Sequence, residues 1–122
     1  MSDKDLSSKK WERLRAAVLA RDHYLDQVKK RFGKSVGADT VHHIFPREYW
    51  PEYTFEAWNL ISVSHSTHNA LHDRETHKLT AKGWDLLVRT ARKQNIEVDQ
   101  NLKNVIAAAG NERTRPLSRS NF

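Results

Sequence analysis

A chain of 122 residues is long enough for one compact domain with a modest core. It contains no cysteine, which excludes disulfides and every thiolate zinc site and fits a reducing compartment. Lysine and arginine number 21 against 15 acidic residues, and the resulting +6 favours a polyanionic partner, nucleic acid or an anionic membrane surface.

The N-terminal stretch MSDKDLSSKKWERL is polar and lacks the apolar core of a signal peptide. No apolar run approaches the ~20 residues of a membrane span. A soluble, unprocessed, cytoplasmic chain is therefore expected. From Ser8 the spacing of Trp11, Leu14 and Val18 predicts a helix, and Tyr24, Leu25, Val28 and Phe32 continue that rhythm to Gly33, a natural stop. Residues 33–39 read as a loop. Thr40 to Phe45 is β-prone and ends at Pro46, and a second β-prone segment runs from Asn59 to Val63. Ser64 or Ser66 can cap a helix reaching about Arg74. Thr80 can cap another, with Trp84, Leu87, Val88 and Ala91 on one face, and Asp99 a last one over LKNVIAAA, closed by Gly110. The expected organisation is a single domain over 1–110 with a disordered basic tail at 111–122.

Seven histidines are present, and five fall between positions 42 and 72. His42 and His43 lie on the first predicted strand, where neighbours point to opposite faces, so the two imidazoles do different work unless the strand is kinked. His68 and His72 stand four apart on a predicted helix, which stacks them on one face as a two-point metal clamp. A lone histidine is ordinarily structural or solvated. A strand dyad followed by a helical pair is far more specific.

The runs VHHIFP at 41–46, WNLISV at 58–63 and SHSTHNALH at 64–72 resemble the HNH endonuclease family, whose site is a ββα-metal unit. His43, Asn59 and His68 match the three positions that name it. His42 and His72 fall where histidine-rich members, such as the nuclease colicins, keep further metal ligands. The resemblance extends through KWERLRAAVLARDHYLDQV, similar to the helix and connector of phage-type members, and covers about residues 9–79. It implies an α+β fold, mostly helical, with a ββα core over about 40–76 flanked by N- and C-terminal helices.

One departure stands out. Many relatives carry two CxxC pairs that bind a structural zinc; here the corresponding positions are Asp26 and Lys29, then Ser64 and Thr67. No structural zinc held by four cysteines is expected. Apolar packing by Leu25, Val28 and Phe32, with an Asp26–Lys29 contact, is expected to replace it.

By the resemblance, His42, His68 and His72 hold one divalent ion, and His43 is the general base that activates water. Asn59 ties down the hairpin loop. Three imidazoles suit zinc, nickel, cobalt or manganese better than magnesium, and the residues do not name the working metal. Phosphodiester hydrolysis of duplex DNA is the implied activity, in a phage-related setting, with a homodimer or a phage packaging protein as further partners. Arg47 and Lys78 are candidate phosphate contacts. His65 is a ligand, a phosphate contact or a plain helix-start residue. His23 and His77 read as solvated, Asp39 as a turn residue, and Tyr49, Trp50, Tyr53 and Phe55 as packing rather than base stacking. The alternatives are a non-catalytic nucleic-acid-binding module with a histidine-held structural metal, and a toxin-like nuclease domain.

Overall fold

Helix α1 (Lys9–Arg21) begins where the Ser8 side chain accepts the Trp11 backbone N–H at 3.2 Å. The structure, a computed structural model, describes residues 6–106, and the tail expected at 111–122 lies outside them. Trp11, Val18 and Leu19 form the buried stripe of α1. The helix then stops, contrary to the predicted continuation. His23 and Tyr24 both take left-handed backbone angles, φ 58° and 59°, which cost a non-glycine residue roughly 1–2 kcal/mol each.

Helix α2 (Gln27–Arg31) is a single short turn capped by Asp26. Backbone bonds from Asp26 N–H to Val36 C=O (2.7 Å) and from Ala38 N–H to Tyr24 C=O (2.8 Å) fold this connector into a closed loop. Tyr24 and Phe32, expected to pack, are exposed at the surface.

Strands β1 (Thr40–His43) and β2 (Leu60–Val63) pair antiparallel, with His42 opposite Ile61 and His43 opposite Leu60. The predicted first strand ran to Phe45. It ends sooner because the Phe45 N–H turns to the Asn59 side chain, at 2.7 Å. One face of the hairpin packs on α1, where Trp11, Val18 and Leu60 form a buried cluster joined by Val41. The opposite face carries His42.

Among the described residues the outer edge of β2 has no neighbouring strand, and side chains complete it instead. Arg21 donates to Leu60 C=O (2.7 Å), Asp22 accepts from Ser62 N–H (3.0 Å), and Asp26 accepts from Ser64 N–H (2.8 Å). Asp26, fully buried, also accepts from Lys29 N–H at 2.9 Å and from the Thr67 hydroxyl. Asp26, Lys29, Ser64 and Thr67 are thus joined by one carboxylate and its donors. This corrects the expectation of an apolar replacement: α2 buries no side chain.

Helix α3 (His65–Leu71) is capped by Ser64, whose hydroxyl accepts the Thr67 N–H at 3.1 Å. It ends earlier than predicted, at Leu71, and His72 instead makes a β-bridge with Leu79. By its internal contacts the chain falls into two units, Met1–His68 and Asn69–Phe122, with the boundary inside α3.

In the second unit, Thr80 caps α4 (Ala81–Gln94), accepting the Gly83 N–H, while its own N–H and hydroxyl close off Leu71 C=O and Ala70 C=O. A Cβ at position 83 would collide with the Leu71 carbonyl oxygen, so glycine is required at this approach. Trp84, Leu87 and Ala91 are buried as predicted, joined by Leu86 rather than Val88. Asn95, at φ 60°, ends α4. Asp99 opens the final turn into α5 (Lys103–Ile106), whose Ile106 C=O accepts the Leu79 N–H at 2.9 Å. The rest of the predicted last helix lies outside the described residues. Among the described residues no helix is long and apolar enough to cross a membrane.

Candidate metal centre and active site

Strand alternation decides the layout. His42, 1% exposed, points to the face where α3 lies, and its ring centroid is 5.4 Å from that of His68. His72 follows His68 by four residues, just past the end of α3. The candidate ligand nitrogens of His42, His68 and His72 all lie within 4.8 Å of one another. Two nitrogens bound to one ion at ~2.1 Å stand at most about 4.2 Å apart, so only a small contraction would close this set on an ion. Three imidazoles offer nitrogen donors of the kind a borderline divalent cation prefers. Burial pushes the His68 imidazole below its ordinary pKa, and the nearby His65 adds to this. The proton-free form that binds metal is therefore favoured.

His43 points the other way. Its Nε2 is 3.0 Å from the Thr54 carbonyl oxygen, which can only accept, so this nitrogen carries the proton and donates. Nδ1 is left with its lone pair. One face of the imidazole stacks on the Trp11 indole, with centroids 5.2 Å apart and planes 17° from parallel. Burial drives the His43 pKa down; the Thr54 carbonyl opposes this and the positive charge of Arg47 reinforces it. A neutral imidazole with one free basic nitrogen is the result.

Asn59 is fully buried below the hairpin loop. Its Oδ1 accepts the Phe45 N–H, and its Nδ2 donates to Phe45 C=O (3.2 Å) and Tyr53 C=O (3.1 Å). One amide thus spans the loop whose Thr54 carbonyl holds His43. Phe45 packs edge-on against Trp50, Tyr53 and Trp58, which stiffens the same loop. The aromatic run is therefore packing in the main, although Tyr49 is 38% exposed.

The remaining candidates are scattered. Arg47 is exposed beside the loop, and Lys78 is half-buried in the turn between α3 and α4. His65 is exposed at the start of α3, outside the three-histidine group. His23 and His77 are exposed with left-handed backbones, and Asp39 lies exposed before β1, where its carbonyl accepts from Arg15. Sequence reasoning missed two neighbours of His43. Trp11 read only as the first apolar position of a helix, and the Thr54 carbonyl has no side-chain signature at all.

No family model and no curated protein matches the chain. Among solved structures, the HNH endonuclease of the deep-sea thermophilic bacteriophage GVE2, crystallised with manganese ion, is 38% identical. The match covers 52% of this chain and 70% of that one, with a TM-score of 0.51. The chain belongs to the HNH endonuclease family. Its hairpin and α3 are accordingly the ββα unit of an HNH nuclease, and the histidine group is that unit's candidate metal site. This HNH protein contains no cysteine, and the buried Asp26 carboxylate links the connector before β1 to the start of α3.

Proposed function

We propose that this HNH protein is a metal-dependent endonuclease that hydrolyses phosphodiester bonds of duplex DNA. The observation that carries the reading is the division of the strand dyad. His42 joins His68 and His72 in a set of converging nitrogens, while its neighbour His43 is tethered through Nε2 and keeps a free Nδ1.

In this reading His43 is the general base. Its Nδ1 takes a proton from water as the water oxygen bonds to phosphorus, and the bond from phosphorus to the 3′-oxygen breaks. The products are a 5′-phosphate and a 3′-hydroxyl. The Nε2–H bond to Thr54 fixes the tautomer and stabilises the imidazolium that forms. Asn59 holds the loop carrying Thr54 and so sets the height of the base. His42, His68 and His72 would hold one divalent ion, which supplies positive charge for the phosphate and the departing oxygen. Manganese is the first candidate, being the ion of the phage relative, and the imidazole set also admits cobalt, nickel and zinc. Arg47 and Lys78 would contact flanking phosphates, with the basic tail adding a non-specific contribution. The chain acts as one catalytic domain over 1–110. A double-strand break needs two successive nicks or two copies, since one ββα unit holds one centre.

Supercoiled plasmid incubated with the protein across magnesium, manganese, cobalt, nickel and zinc tests this. Nicked and linear products that depend on an added ion are expected. Mobility shifts without cleavage under every ion would instead identify a non-catalytic binding module.

A further inference from the structure

Thr54 gives the His43 ring one point of attachment. A single hydrogen bond at Nε2 leaves the imidazole free to tilt about that contact, and Nδ1, on the other side of the ring, would swing most. The indole of Trp11 lies against the ring face within 17° of parallel and blocks this tilt. Trp11 is itself held firmly. It is 7% exposed, its backbone N–H donates to the Ser8 hydroxyl, and Phe55, whose ring lies under the Lys10 ammonium, meets the indole edge-on at 6.3 Å. Phe55 directly follows Thr54, so the two restraints on His43 belong to one wall.

We propose that Trp11 is a positioning residue for His43, fixing the ring plane that aims Nδ1 at the attacking water. The proposal rests on the reading of His43 as general base. Tethering at one nitrogen plus stacking on one face leaves the ring a single orientation, and an α1 residue far upstream in sequence thereby joins the hairpin chemistry. An indole serves well because a flat, rigid surface restrains tilt, which a flexible aliphatic side chain of equal bulk does not.

The test compares Trp11→Leu, Trp11→Phe, His43→Ala and the double variant Trp11→Leu/His43→Ala, measuring manganese affinity, KM and kcat on plasmid. Trp11→Leu should lower kcat about 10- to 100-fold, as a small misplacement of a catalytic group does, with manganese affinity and KM unchanged. Trp11→Phe should recover most of that loss. In the His43→Ala background, Trp11→Leu should cost nothing further, because the group it positions is gone. An equal additional loss in that background marks a structural role and overturns the proposal. So does wild-type kcat in Trp11→Leu. Wild-type cleavage by His43→Ala would instead sink the base assignment itself. Proton NMR of the unmodified protein decides the matter even if Trp11→Leu does not fold. The His43 ring protons should be shifted upfield by the indole relative to those of exposed His23, and unshifted resonances refute the stack.

Discussion

A buried amide that makes three hydrogen bonds has few tolerable substitutes. Asn59→Ala would leave the Phe45 N–H without its acceptor and two carbonyls without their donor at a fully buried position. Each buried group left unsatisfied costs about 1–3 kcal/mol, so a loss near 3 kcal/mol is expected in urea unfolding. Cleavage should fall further than stability alone dictates, because the loop that carries Thr54 loosens. A variant as stable as wild type would show that the amide is not the loop's anchor. At this scale the sequence was informative where function depends on side chains close in the chain. The dyad and the pair four apart were legible from spacing, and Asn59 from the family resemblance. The Trp11 stack and the Thr54 carbonyl were not, since one joins residues 32 positions apart and the other involves no side chain.

Elements were legible where periodicity alone sets them. The apolar stripe of α1, the Thr80 cap and the two strands follow from local pattern. Their ends did not, because tertiary partners decide them: β1 yields at Phe45 to the Asn59 amide, and α3 yields at His72 to Leu79. The Asp26–Lys29 contact was legible, but the reach of Asp26 to Ser64 and Thr67 was hidden, as nothing in the sequence ranks a buried carboxylate above apolar packing. Burial raises the energy of the Asp26 charge, but the Thr67 hydroxyl and the Ser64 and Lys29 amides outweigh this and hold its pKa below the ordinary value. Asp22 is held low as well: burial opposes the charge, and Arg21 and Ser62 prevail. Carboxyls depressed in the folded state contribute stability that is fully present above the unfolded value of about 3.9 and is lost as pH falls through the folded ones. Thermal melts should therefore begin to decline below about pH 6.5, where the unfolded chain protonates the His43 and His68 imidazoles that the fold keeps neutral, and decline further below about pH 4 as the carboxyls protonate. Asp26→Ala should cost about 3 kcal/mol, combining a lost helix cap with buried donors left unpaired, and should flatten the acid decline. A variant with wild-type stability and an unchanged acid limb would place the brace elsewhere.

For the molecule as a whole, the proposed DNA binding would draw on the +6 charge and so be electrostatic in origin. Lysine and arginine displace condensed counterions, so the logarithm of Kd should rise linearly with the logarithm of salt concentration. Fluorescence anisotropy with a short duplex, at several salt concentrations and without cleavage-supporting ions, measures the slope. A flat response would contradict binding through the phosphate backbone. The whole-molecule reading finally depends on the split between His42 and His43. Calorimetric manganese titration beside plasmid cleavage, on His43→Ala and His68→Ala in parallel, tests that split most directly. His43→Ala should bind manganese as wild type does and cut roughly 10²–10⁴-fold more slowly. His68→Ala should bind the ion markedly more weakly and regain some cleavage at high manganese. Equal loss of manganese affinity in both variants, or wild-type cleavage by His43→Ala, would contradict the assignment of base and ligands.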